Sequence, residues 1–117
     1  MTTGNLLGGV SCPSVSFCEA VGYNSYGGDV VTFDGRSWGA PQLLDPGYKL
    51  HSVSCVSASF CVVGAAVNAF TYLDGVWSAP QIVDPADTNG NGIGSVSCVS
   101  VSFCLALDTD GNAFYLR

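Results

Sequence analysis

The chain has 117 residues and a net charge of −6, and its only cations are Arg36, Lys49 and Arg117. Phosphate backbones and anionic membranes are bound by several Lys or Arg side chains together, so the composition argues against nucleic acid and membrane partners. Charged residues make up 10% of the chain, and hydrophobic residues (48%) are rich in Val, Phe and Tyr, which favour short strands over amphipathic helices.

A repeat of 43 residues organises the chain. Three similar segments begin with Val-Ser-Cys and end with Phe-Cys, namely Val10–Cys18, Val53–Cys61 and Val96–Cys104. A second module, with the pattern Asp-Gly, Trp and Ala-Pro-Gln, follows the first two segments as Phe33–Asp45 and Leu73–Asp84. The third copy reaches Arg117 without this second module.

Each copy predicts four short strands, in chain order. The first lies around Ser-Val-Ser-Cys, and the second starts at Phe-Cys, as in Phe60–Val67. The third corresponds to three equivalent stretches, Val30–Phe33, Ala69–Leu73 and Ala113–Leu116. The fourth holds Trp-Ser-Ala-Pro-Gln, as in Trp77–Val83.

Turn signals separate these strands. Asp34-Gly35 and Asp74-Gly75 predict hairpins between the third and fourth strands, and Asp110-Gly111 predicts the turn between the second and third strands of the last copy. Pro41 and Pro80 have no backbone donor, so the fourth strand should lie at a sheet edge.

Four antiparallel strands in about 40–45 residues is the size of a β-propeller blade. We therefore predict an all-β repeat domain over residues 1–117, with blade 1 at about 10–50, blade 2 at about 51–93 and an incomplete blade 3 at about 94–117. A β-sandwich of duplicated hairpins is the alternative, but it does not explain the third copy.

A propeller typically has four to eight blades, more than this chain holds. We expect homo-oligomerisation, as a dimer or a trimer, to close the ring. The N-terminal segment Thr2–Gly9 could then supply an outer strand to the incomplete blade of a neighbouring chain.

Six cysteines form three Cys-x5-Cys pairs at the join of the first and second strands: Cys12 with Cys18, Cys55 with Cys61, and Cys98 with Cys104. The favoured interpretation is three local disulfides, and buried thiols or a metal site are the alternatives. Regular pairing implies an oxidising compartment, so we predict a secreted protein, although the first residues lack the features of a signal peptide.

The pattern Ser-x-Ser-Cys-x-Ser-x-Ser-Phe-Cys, followed by Asp-Gly-x-x-Trp-Ser-Ala-Pro, resembles repeats of secreted or surface-attached actinobacterial proteins. The resemblance covers nearly the whole chain, is most specific at the six cysteines, and implies propeller blades and an extracellular location. Short repeats that assemble into rings are also similar in architecture to oligomeric propeller lectins, although no lectin motif matches.

The sequence does not favour catalysis or a cofactor. His51 is the only histidine and is expected in a solvated loop, and Glu19 and Asp29 are expected as exposed, unpaired acids. Calcium is an alternative at Asp87-x-Asn89-x-Asn91-Gly92 and at Asp108-x-Asp110-x-Asn112, but Asx and Gly residues are also ordinary turn formers and we predict no metal.

Repeated aromatic residues suggest a binding function. Sugar sites combine flat aromatic faces with fixed polar groups, and both occur in the second module. Its candidate contacts are Trp38, Trp77, Gln42, Gln81, Asp34 and Asp74. The alternative is that both tryptophans pack as core.

The leading hypothesis is therefore a non-enzymatic, self-assembling propeller module that binds carbohydrate at several equivalent sites. The rival hypothesis is a structural or protein-interaction scaffold repeat without a small-molecule ligand, such as a designed or excised piece of a longer array.

Overall fold

The computed structural model describes residues 6–46, 49–65, 68–83, 92–108 and 111–116, with the side chains of residues 6, 7 and 116 excepted. Within these ranges the chain forms three successive antiparallel sheets, one for each copy of the repeat. The prediction of an all-β fold is confirmed.

The first sheet has the strand order β1-β2-β3-β4. Its strands are β1 (Leu6–Ser14), β2 (Phe17–Asn24), β3 (Gly27–Phe33) and β4 (Gln42–Pro46). Residues 6–9 of the N-terminal segment pair with β2 as the start of β1, whereas residues 1–5 lie outside the described residues. Strand donation by that segment stays a prediction.

The second sheet holds β5 (Ser52–Ser57), β6 (Phe60–Gly64), β7 (Asn68–Leu73), β8 (Val76–Trp77) and β9 (Gln81–Ile82). The predicted fourth strand over Trp77–Val83 is thus divided into two short strands, β8 and β9, which both pair with β7. Pro80 lies in the break and has no N–H for a continuous ladder. The fourth strands lie at the outer edges of these two sheets, as predicted.

The third sheet consists of β10 (Ile93–Ser100), β11 (Phe103–Asp108) and β12 (Ala113–Leu116). β12 is its outer edge within the described residues. Gly111 precedes β12 with a φ of 92°, as a turn requires, while Asp110 lies outside the described residues.

The Asp-Gly hairpins form where the sequence predicts them. Asp74 and Gly75 have φ values of 49° and 90° and connect β7 to β8 by a two-residue turn. Positive φ at both positions suits the right-handed twist of the flanking strands. In the first sheet the turn is longer, because Arg36 and Ser37 follow Asp34-Gly35 before Trp38 bridges back to Phe33.

Three disulfides join the first and second strands of the sheets, as predicted, with 6 residues from the first cysteine to the second in each pair. The bonds are Cys12–Cys18, Cys55–Cys61 and Cys98–Cys104. No cysteine remains free, so the buried-thiol and metal alternatives are wrong.

The hydrophobic core lies between successive sheets. Between the first and second sheets, Val21 and Val30 pack with Val63 and Phe70. Between the second and third, Phe60 and Val62 of β6 pack with Val96 and Cys104. The first and second sheets therefore each bury one face against the sheet that follows them, which is how propeller blades pack.

Candidate functional site

The six residues predicted to contact sugar lie in two separate groups, on the outer edges of the first and second sheets. Trp38 is half-buried with its ring 5.4 Å from that of Phe33, and Trp77 is half-buried with its ring 5.0 Å from that of Tyr72. Trp77 also packs against the cluster between these sheets. Both tryptophans therefore contribute to packing within their own blades.

The polar members of these groups have mainly local roles. The Oδ1 atom of Asp34 accepts hydrogen bonds from the Ser37 and Arg36 amides at 3.0 and 2.9 Å, and these bonds lower the pKa of its carboxyl. Asp74 holds the tight turn, and its amide donates to the Ser59 carbonyl at 3.0 Å. Gln42 and Gln81 are exposed on the outer strands, in register with Val30 and Ala69 respectively.

The outer segment of the second sheet attaches through backbone and side-chain hydrogen bonds. The Ser78 amide donates to the Thr71 carbonyl at 2.7 Å, and the Thr71 amide donates to the Ser78 hydroxyl at 2.9 Å. In the first sheet the Gly39 amide makes the equivalent bond to the Thr32 carbonyl at 2.8 Å. Both sheets therefore hold an extended, Trp-containing segment along their third strand.

The third sheet leaves the corresponding edge open within the described residues. Tyr115 on β12 is the counterpart of Thr71 on β7. Tyr115 pairs with Leu105, and Thr71 pairs with Val62, which is the residue equivalent to Leu105 in the second sheet. By this equivalence the Tyr115 amide and carbonyl point outward, where the other sheets hold their fourth strand. The open edge of β12 is the candidate site.

An apolar groove borders this open edge. Val101, Ser102, Phe103 and Tyr115 line an open groove of about 540 Å³. The rings of Phe103 and Tyr115 meet edge to face, with centroids 5.8 Å apart. The sequence analysis did not predict this groove.

A much smaller cavity of about 60 Å³ lies between the second and third sheets. Its wall includes Phe60, Thr71 and Gln81 of the second sheet and Val101 of the third. The Val101 turn thus reaches back onto the preceding blade, and the space that remains is only large enough for one or two water molecules.

The expectation that Glu19 and Asp29 are exposed acids is wrong. Glu19 is 0% exposed on β2, and its carboxylate oxygens accept hydrogen bonds from the Thr32 hydroxyl at 2.8 and 2.9 Å. Burial raises the pKa of Glu19 to about 7, and the Thr32 hydrogen bond opposes the shift. Asp29 is buried on β3 and accepts a hydrogen bond from the Asn24 amide group at 3.3 Å.

His51 is half-buried, not fully solvated as expected, and its backbone amide donates to the Gly64 carbonyl at 2.9 Å. Burial, and then the charge of Lys49, lower the pKa of its imidazole. Lys49 itself lies over the ring of Tyr23, with its Nζ atom 4.3 Å from the centroid.

The candidate calcium loops add no ligand cluster that the structure describes. Residues 84–91 of the first loop and Asp110 of the second lie outside the described residues. The carboxylate oxygens of Asp108 accept hydrogen bonds from the Asn112 backbone and side-chain amides at 2.7 and 2.9 Å. Among the described residues, no three His, Cys, Asp or Glu side chains converge as metal ligands, and no helix is long and apolar enough to span a membrane.

No family model matches the chain, and no curated protein matches it either. A solved structure described as "YCF48 bound to D1 peptide" is similar, with a TM-score of 0.76 and 18% sequence identity. The match covers 99% of this chain and 39% of that chain, so this chain spans about two fifths of its neighbour's length.

YCF48 is a β-propeller, and the likeness therefore shows that this chain has a propeller fold made of part of a blade set. The comparisons support the propeller part of the resemblance seen in the sequence and do not bear on an actinobacterial source.

Proposed function

We propose that this chain is a non-enzymatic, secreted propeller module that binds an extended peptide segment of a partner protein along β12. The observation that carries the proposal is the outer edge of β12, which no described strand covers, whereas the same edge of the first two blades holds an extended segment. Strand addition of this kind provides affinity through main-chain hydrogen bonds and specificity through alternate side chains.

The groove beside the edge supplies a place for an apolar anchor. Trp77 of the second blade packs on Tyr72 while its strand pairs with β7. Trp77 pairs with Tyr72, and Ser78 lies opposite Thr71, the counterpart of Tyr115. Because successive strand residues point to opposite faces, a peptide in this register would place the residues on either side of its tryptophan on the face of Phe103 and Tyr115. The chain's excess of acidic residues favours a neutral or basic peptide.

The solved neighbour gives independent support, since its structure contains a propeller with a bound peptide. Three disulfides indicate an oxidising environment, and secretion is the proposal that follows from them. Ring closure by a homodimer or trimer remains the expected route to a complete propeller.

Carbohydrate binding at Trp38 and Trp77 stays a prediction with less support, because both rings pack against aromatic neighbours of their own sheets. Binding of the non-reduced protein to a glycan array, lost in Trp77→Ala with the fold intact, would favour that alternative over the peptide site.

The direct test uses the chain's own outer segment as the probe. A labelled peptide with the sequence of residues 76–83, Val-Trp-Ser-Ala-Pro-Gln-Ile-Val, which has no charged side chain, is titrated with the non-reduced protein by fluorescence anisotropy. We expect saturable binding that weakens when the peptide's first residue, the counterpart of Val76, is replaced by aspartate, because this residue lies on the face of the groove.

Two variants at one position locate the binding. Tyr115→Pro removes the outward amide and should lower the affinity at least about tenfold, since it also crowds the incoming strand. Tyr115→Thr introduces the residue found at this position in the first two blades, keeps the outward amide and carbonyl and removes only the ring, so its affinity should fall less than that of Tyr115→Pro. Equal affinity of the Pro variant and the wild type, or no binding to the wild type, would overturn the peptide site.

A further inference from the structure

The interface between successive blades repeats the same hydrogen bond. The Cys55 amide donates to the Ser11 hydroxyl at 2.9 Å, and the Cys98 amide donates to the Ser54 hydroxyl at 3.0 Å. Each bond joins the first strand of one blade to the first strand of the next. The serine that comes next in this series is Ser97, which is exposed.

Apolar side chains follow the same pattern of covered and uncovered positions. Phe17 and Phe60 are each 7% exposed, because a following blade covers them, whereas their counterpart Phe103 is 39% exposed. Val96 is 9% exposed against the preceding blade, whereas its counterpart Val10 is 60% exposed.

The two ends of the described chain are therefore complementary halves of one interface. We define the tail face as Ser97, Phe103, Leu107 and Tyr115 on the third blade. We define the head face as Val10, Cys12 and Val15 on the first blade. Val15 is the counterpart of Val101, which packs near Phe60 and Thr71 in the existing interface.

We propose that the tail face of one copy docks on the head face of a second copy of this chain. In this complex the Cys12 amide of the second copy donates to the Ser97 hydroxyl of the first, and Val10 and Val15 cover Phe103 and Tyr115. A second copy is the expected partner because both interfaces between successive blades of the chain join a face equivalent to the tail face to a face equivalent to the head face. Such a heterologous contact gives a closed ring when its rotation closes and a filament when it does not.

This docking specifies the surfaces of the homo-oligomer expected above. It rests on the propeller fold, but the tail face shares Phe103 and Tyr115 with the peptide groove, so a docked copy and a peptide anchor compete for these two side chains. Val10→Asp lies outside the groove and separates the two proposals. Assembly that persists in this variant would contradict the docking alone, and absent peptide binding in the same variant would contradict the peptide site alone.

The test is the solution mass of the non-reduced protein, measured by native mass spectrometry and light scattering across micromolar concentrations. We expect discrete multiples of the 12.0 kDa chain. Val10→Asp on the head face and Phe103→Asp on the tail face should each reduce the mass to that of one copy. Val76→Asp is the matched control, because Val76 is also exposed but lies in a hairpin outside both faces.

Mixing the two face variants gives the decisive result. The intact tail of Val10→Asp should bind the intact head of Phe103→Asp, which yields a one-to-one pair and nothing larger. A wild type that stays at 12.0 kDa would overturn the proposal, as would face variants that still assemble alone. Far-ultraviolet circular dichroism and thiol counts confirm that each variant is folded and oxidised.

Discussion

Glu19 is a fully buried carboxylic acid on the face of β2 that packs toward the second blade. The corresponding residue of the second blade is Val62, so the position faces the next blade and is buried in both copies. The sequence placed Glu19 correctly in the second strand, but its charge favoured exposure. Burial is tolerated because Thr32, directly opposite on β3, donates to both carboxylate oxygens.

The raised pKa of Glu19 predicts a stability that depends on pH. The folded protein binds this proton up to a pKa of about 7, whereas the unfolded chain releases it near 4.5. Stability should therefore fall as the pH rises from 4.5 to above 7, by about 3 kcal/mol at most for this group.

Glu19→Gln tests this directly, because its amide can still accept from Thr32 but cannot ionise. Denaturant unfolding at several pH values should give a flatter profile for the variant than for the wild type. The comparison with the wild type is needed because other groups also make stability depend on pH. Burial raises the pKa of Asp45, which likewise lowers stability as the pH rises, whereas the lowered pKa of His51 raises stability with pH. Parallel profiles for the two proteins would show that Glu19 does not titrate in this range.

At the scale of strands, the hydrophobic pattern and the Asp-Gly turns predict most of the fold. The second and third strands and their hairpins are found as expected, because local turn chemistry and alternating burial act within one blade. The fourth strand was the least predictable, since Pro80 and the longer Asp34 turn interrupt it. Its register depends on bonds such as Ser78 to Thr71, which no local sequence pattern encodes.

The packing between strands of different blades depends on Gly64. A Cβ atom at this position would lie 2.5 Å from Cγ2 of Ile93 and 2.8 Å from the Ser52 hydroxyl oxygen. Ile93 is fully buried and β-branched, so it cannot easily move aside.

Gly64→Ala should therefore destabilise the protein by about 1–3 kcal/mol through overpacking. Thermal unfolding measures the loss. Gly39→Ala is the matched control, because its Cβ would meet the Thr32 carbonyl at an ordinary 3.5 Å. The double variant Gly64→Ala with Ile93→Ala should lose less stability than the sum of the losses in the two single variants. Strict additivity would contradict the proposed clash.

At the scale of the whole molecule, the repeat predicts the number of blades but not the surfaces that bind partners. The sequence directed attention to Trp38 and Trp77, which recur, whereas the candidate site lies on the described edge of β12. A recurring aromatic residue is more easily explained by the repeated packing of each blade. The open edge beside Phe103 and Tyr115 becomes visible only when the three blades are compared in register.

The three disulfides make blade stability depend on redox state. Each closes a small ring, which in the loop-entropy model contributes about 2 kcal/mol. Because a domain of this kind has roughly 5–15 kcal/mol of stability in total, loss of all three should remove a large share. Reduction should therefore lower the unfolding temperature markedly, and the paired variant Cys98→Ala with Cys104→Ala should lower it less. Both are measured by calorimetry at a concentration where the mass is that of one copy, so that any change in assembly does not contribute. An unchanged unfolding temperature, with six thiols verified by mass spectrometry, would mean that packing between the blades alone maintains the fold.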